Sequence, residues 1–176
     1  NWTSSWTEVN DDGTAQSPTS GSIQILNDIS DYQLRVRRRA TGNSNASIYR
    51  TFSLAGATAA SLTFLYRRDD METGDHVYVE ASTNGTTYSQ LLDIAGTGTS
   101  DGAYVPSGSI SLGAPYLGAS TVYLRFRTSV SQDNDTVWFD NVQISYQSPT
   151  TAQVVVESSS NGTTWTNLAT YSGSVS

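Results

Sequence analysis

"TVYLRFRT", residues 121–128, decides the fold class. Val122, Leu124 and Phe126 fall on one side of an extended chain, and Tyr123, Arg125 and Arg127 on the other. Successive side chains of a β-strand point to opposite faces, so this alternation is the signature of a strand with one face on a core and one in water. Such half-buried strands belong to antiparallel sheets. Working outward, "SIQIL" (22–26), "YQLRVR" (32–37), "SLTFLYR" (61–67), "HVYVEAS" (76–82) and "VWFDNVQI" (137–144) alternate in the same way or run β-branched and aromatic. Clusters of Gly, Asn, Asp and Ser separate them. "STNGTT" (82–87) carries Asn-Gly at a hairpin tip. No 12-residue window shows a helical stripe. The expectation is an all-β, antiparallel two-sheet jelly-roll sandwich with a C-terminal β-hairpin extension.

The extension comes from an internal repeat. "VYVEASTNGTTYSQLLDIAG" (77–96) returns as "VVVESSSNGTTWTNLATYSG" (154–173), at a constant offset of 77 residues. The reading is a sandwich domain over 1–146, a linker over 147–152, and a repeat-like hairpin over 153–176. An isolated two-stranded hairpin is marginal in water, so it needs a partner surface. Two roles fit it: the start of a neighbouring domain, or a strand donated to another subunit of a fibre by β-addition. In the second role Val154, Val155, Val156, Trp165 and Leu168 are the assembly residues.

Composition narrows the function. Sixteen acidic residues against nine Arg give a net charge of −7, and there is no Lys and no Cys among the 176 residues. Nucleic acids and anionic membranes require basic patches, so neither is an expected partner. The single basic run, "RVRRR" (35–39), reads as solvent-facing positions of a strand. Without Cys there are no disulfides and no thiol chemistry. No apolar run approaches the ~18 residues of a membrane span. The chain holds 27 Ser and 23 Thr, and this acidic, hydroxyl-rich β composition points to a secreted or cell-surface protein. Five Asn-x-Ser/Thr triplets, at Asn1, Asn45, Asn84, Asn134 and Asn161, are close to what so many hydroxyls supply by chance.

Catalytic signals are missing. His76 is the only histidine, and it lies at a strand start without the G-x-S-x-G context of a hydrolase nucleophile. Neither a P-loop, a dinucleotide-binding glycine pattern nor zinc-ligand spacing occurs. The expectation is a protein that is not an enzyme.

Asp140 and Asn141 interrupt the apolar strand "DTVWFDNVQIS" (135–145). Asp is depleted in strands, and a carboxylate among apolar residues needs a partner. Near the N-terminus, "WTEVNDDG" (6–13) concentrates Glu8, Asn10, Asp11 and Asp12. Calcium takes six to eight oxygen ligands, largely carboxylates and carbonyls. If the first and last strands paired, Glu8 and Asp12 would stand beside Asp140. Asp140 capping a backbone group is the alternative reading of the same residues.

W-x-E-x-x-D-D-G, "YRTFSLAGATAASLTFLYRRD", "GDHVYVEASTNGTTY", "VYLRFRT" and "VWFDNVQI", in that order, resemble the MAM-like and carbohydrate-binding-module jelly rolls of secreted bacterial proteins. The resemblance covers residues 1 to about 146. It implies a structural calcium with Glu8 and Asp140 as ligands, and Asp12 and Asp135 beside them.

Two roles follow: a non-catalytic structural or adhesive domain, with a self-polymerising fibre subunit as one form of it, or a calcium-stabilised carbohydrate-binding module. A glycan site would use exposed aromatics, for which Tyr104, Tyr116 and Tyr123 are the candidates, with Trp2 and Trp6 nearer the N-terminus.

Overall fold

The computed structural model describes residues 2–11, 17–28, 31–38 and 45–175. Its first sheet has the order β1 (Thr7–Val9), β4 (Ser47–Phe52), β10 (Val122–Ser129), β6 (His76–Ser82), β7 (Ser89–Ala95). The second runs β2 (Ile23–Asp28), β3 (Asp31–Arg37), β11 (Thr136–Gln147), β5 (Ala59–Asp69), β8 (Val105–Pro106), with β9 (Ile110–Ser111) also on β5. Every pairing is antiparallel. The described residues contain no helix, so the all-β sandwich expected from the alternation is what the chain forms.

β10 sits at the centre of the first sheet, and its burial alternates without a break from Val122 to Ser129. Its inward residues meet the inward residues of β11 and β5. Phe126 lies 4.2 Å from Phe139 and 5.7 Å from Phe64, ring centre to ring centre, and Trp6 closes the cluster 5.9 Å from Phe126. Edge-on and offset ring pairs of this kind add to the burial they accompany.

The polar pair inside β11 has a backbone explanation. Before Asp140 the odd-numbered residues Val137 and Phe139 are buried; after Asn141 the even-numbered Val142 and Ile144 pack against the core. A β-bulge between Asp140 and Gln143 makes this one-residue phase change. Asn141 takes φ 51°, a left-handed conformation that Asn tolerates better than most residues. Its N–H donates to Asp140 Oδ1 at 2.6 Å. Asp140 thus caps the bulge. The expected pairing of first and last strands does not occur: β1 pairs with β4, while β11 lies between β3 and β5 in the other sheet.

β12 (Thr150–Ser158) and β13 (Thr166–Val175) form a separate two-stranded sheet. The hairpin repeats β6–β7 in geometry as well as sequence. In both, the register shifts just before the glutamate, at Val79/Glu80 and at Val156/Glu157. At the first tip Ser82 Oγ accepts from the Gly85 N–H and Asn84 Oδ1 from those of Thr86 and Thr87, all at 2.9 Å. Ser159 and Asn161 make the same bonds to Gly162, Thr163 and Thr164. The surroundings differ. Val77, Val79 and Ile94 are buried in the sandwich, whereas the equivalent Val154, Val156 and Tyr171 are exposed, as are Val155, Trp165 and Leu168.

Candidate functional site

The outer face of the first sheet is the more elaborate surface. Strand alternation sends Tyr123, Arg125 and Arg127 outward from β10; the register sets Arg125 between Tyr49 of β4 and Glu80 of β6, and Arg127 beside Tyr78. Glu80 ties the two arginines together. Arg125 Nε donates to its Oε2 at 2.8 Å, and Arg127 donates through Nε (3.1 Å) and Nη2 (2.8 Å). The Glu80 side chain is only 8% exposed, so these charge-assisted bonds form in a partly dry setting. Each guanidinium also covers a ring: Arg125 sits 3.5 Å from the centre of Tyr88, Arg127 4.5 Å from Tyr78. His76 stacks on Tyr78 and hydrogen-bonds Asp93 through Nδ1 at 2.8 Å. Tyr123 lies 5.8 Å from Tyr49, and the hairpin tip rests on it: a Cβ at Gly85 would come within 2.9 Å of the Tyr123 ring.

The result is a face of tyrosines and hydrogen-bonded charges, carried on three paired strands. The other sheet offers a groove of about 850 Å³, opened beside the β11 bulge and lined by Thr63, Leu65, Ser107, Asn141 and Gln143 among others. Among the described residues no charged side chain lines it.

A second constellation stands at one end of the sandwich. Glu72 and Asp75, from the β5–β6 connection, and Asp135, at the end of the β10–β11 turn, each direct a carboxylate oxygen into one spot. The three oxygens lie within 4.8 Å of one another, and Asp75 and Asp135 are buried. This cluster could hold a metal ion. Burial, with the charge of Asp75 nearby, pushes the Asp135 carboxyl above the usual carboxylate range. The close approach of the Asp75 carboxylate, and then burial, raises Glu72 likewise. Asp75 goes the other way. Burial acts to raise it, but hydrogen bonds from the Glu72 and Ser131 N–H groups outweigh this and hold it below the range.

The residues singled out from the sequence divide as follows. Glu8, opposite the buried Ile48, faces the space between the sheets and accepts a bond from the Ser17 N–H at 3.3 Å. Asp140 points out of the other sheet. The structure does not bring Glu8 and Asp140 together, because they belong to different sheets and opposite faces. Asp12 lies outside the described residues; its neighbour Asp11 is buried and accepts from the backbone of Ser22 and Ile23. Among the described residues, Asp135 is the one proposed metal ligand that enters a carboxylate cluster, and its companions Glu72 and Asp75 carry no sequence signal of their own. Tyr116 is a correction: it is 6% exposed, with its hydroxyl on the Ala81 carbonyl, and so belongs to the core. Tyr104 bonds Gln33 and lies under Arg67 on the second sheet. Tyr123 stands on the charged face. Trp2 and Trp6 pack together at the edge of the core beneath Arg50.

The chain matches no protein-family model and no curated protein. Solved structures do resemble it. The K1 adhesin domain of Lys-gingipain from Porphyromonas gingivalis W83 is 21% identical, over 81% of this chain and 90% of that one, with a TM-score of 0.53. The K2 adhesin domain of Lys-gingipain is 18% identical over 80% and 89%, with a TM-score of 0.52. A carbohydrate-binding module in complex with β-1,4-galactotriose is 8% identical over 81% and 88%, at 0.49. At these identities the likeness is one of fold alone, an antiparallel β-sandwich.

Proposed function

We propose that this chain is a non-catalytic, calcium-stabilised binding module of an extracellular surface protein, and that it takes a glycan on the outer face of its first sheet. The arrangement of Tyr49, Tyr78, Tyr88 and Tyr123 around the Arg125–Glu80–Arg127 bridge carries this reading. A sugar presents C–H patches and a dense set of hydroxyls. Rings meet the first, and donors and acceptors held in place meet the second at little ordering cost.

Glycan-array screening followed by calorimetry tests the proposal. Tyr123→Ala and Tyr49→Ala should each weaken binding to the best glycan about tenfold or more, the loss expected for an aromatic anchor. Unchanged affinity in both variants would move the site off this face.

The exposed hairpin favours a second reading, in which the chain assembles through β12–β13. Val154, Trp165, Leu168 and Tyr171 are each about 60% exposed, an unusual concentration of large apolar side chains in water. On this reading the full chain self-associates in sedimentation velocity, and a Trp165→Ser/Leu168→Ser variant of the full chain stays monomeric.

A further inference from the structure

The three-carboxylate end of the sandwich has a feature that ordinary acidic turns lack. Most of its oxygens are satisfied locally. Asp75 accepts from the Ser131 N–H through Oδ1 (2.8 Å) and from the Glu72 N–H through Oδ2 (3.0 Å). Asp135 Oδ2 accepts from the Gln132 N–H at 2.5 Å, and Glu72 Oε1 from Gln132 Nε2 at 2.6 Å. Two oxygens remain. Asp135 Oδ1 and Glu72 Oε2 are enclosed and have no hydrogen-bond partner. The Asp135 residue is 0% exposed. No ion pair among the described residues brings Arg or His to any of the three; the arginine nearest in the chain, Arg68, is engaged with Asp101. Buried carboxylates without a counter-charge are costly, and the usual compensations are a cation or a proton.

We infer that Glu72, Asp75 and Asp135 hold a calcium ion; the inference rests on the calcium part of the function proposed above and gives it a place. Asp135 Oδ1 and Glu72 Oε2 are the free ligand atoms, and Asp75 supplies the third carboxylate. The three oxygens lie within 4.8 Å of one another, close enough for one ion with calcium–oxygen bonds of about 2.4 Å to reach them all. Backbone carbonyls and water complete such a shell. The ion joins the β5–β6 connection to the β10–β11 turn. β6 starts at His76, directly after Asp75, and its first rung pairs His76 with Ser129, the last residue of β10. A cation there staples the end of the sheet on which His76, Tyr78 and Arg127 stand. Close packing supports the same corner: a Cβ on Gly96 would overlap the Glu72 carbonyl at 2.0 Å.

The test uses the full chain, stripped with chelator and titrated with calcium, or magnesium for comparison, by calorimetry and thermal unfolding. Calcium should raise the melting temperature of the wild type by about 4 °C or more at saturation. Glu72→Gln, which keeps the shape of a half-buried side chain, should weaken calcium binding by at least about tenfold. Asp135→Asn should abolish the thermal shift. Glu8→Gln and Asp140→Asn should retain both. If calcium binding survives Glu72→Gln and Asp135→Asn but disappears in Glu8→Gln or Asp140→Asn, the ion sits elsewhere and the assignment is overturned. A wild type that binds no calcium overturns the calcium reading as a whole, and leaves the glycan proposal to be judged by its own assay. Should Asp135→Asn fail to fold, Glu72→Gln alone decides.

Discussion

Phe126→Ala should lower the unfolding free energy by about 3–5 kcal/mol, the range for truncating a buried aromatic ring. Phe126 is fully buried at the centre of β10, and its ring contacts Phe139, Phe64 and Trp6, so it joins both sheets and the N-terminal segment. Removing the ring opens a cavity whose walls are strands tied into two ladders, and ladders relax little. β10 pairs with β4 over six rungs and with β6 over seven, so the backbone is not free to collapse into the space. Phe126→Leu keeps most of the volume and should cost less than half as much. Urea unfolding checks both variants. The midpoint should fall with the slope unchanged, because the surface exposed on unfolding hardly alters. A loss below about 1 kcal/mol for Phe126→Ala would mean that the aromatic cluster is not the keystone of the core.

Phe126 was legible from the sequence, and the reason is instructive. Its strand is buried on one face only, so polarity alternates and the inward set declares itself. The same reasoning placed Tyr123, Arg125 and Arg127 outside. It failed where backbone irregularity takes over. The sequence leaves Asp140 two readings, metal ligand or cap on a backbone group, and in the structure its carboxylate accepts from the Asn141 N–H. Their role in the structure is to shift the phase of β11 so that Val137 and Phe139 before them, and Val142 and Ile144 after them, all reach the core. A residue step from odd to even apolar positions across "VWFDNVQI" is the signal that could have found the bulge. Glu72 and Asp75 had no such signal. They sit in a connection, and only tertiary folding brings them to Asp135. Tyr116 departs from expectation for a related reason: its Gly- and Ser-rich surroundings suggest an exposed loop, yet the loop folds back and its hydroxyl reaches the Ala81 carbonyl. The hairpin repeat was visible as sequence, and the matching register shifts and tip bonds show that the identical residues encode the same turn twice.

Glu80→Ala should cost about 2–3 kcal/mol. Breaking a fully buried pair from one side typically costs about 3–5 kcal/mol, because the surviving charge is left in a poor dielectric. Here the arginine side chains are 22% and 27% exposed, so water screens part of that loss. What remains is specific to the geometry. Arg125 and Arg127 project from the same face of one strand, two residues apart, and Glu80 supplies the negative charge that holds both guanidinium groups in one place. Without it they repel each other, and Arg125 loses the anchor that keeps it over Tyr88. Glu80→Gln should cost less than Glu80→Ala, since an amide still offers one acceptor in the same shape. The gap between wild type and Glu80→Gln should narrow in high salt, as a Coulombic loss does and a packing loss does not. A Glu80→Leu/Arg125→Leu double variant should recover part of the stability lost by Glu80→Leu alone, because the stranded charge goes with its partner. If instead the two substitutions add, the bridge contributes no coupling and the arginines stand independently. That outcome would also reach the proposed glycan surface: the tyrosines would then rest on mobile cations, and a face meant to recognise a ligand would have to be ordered anew at every encounter.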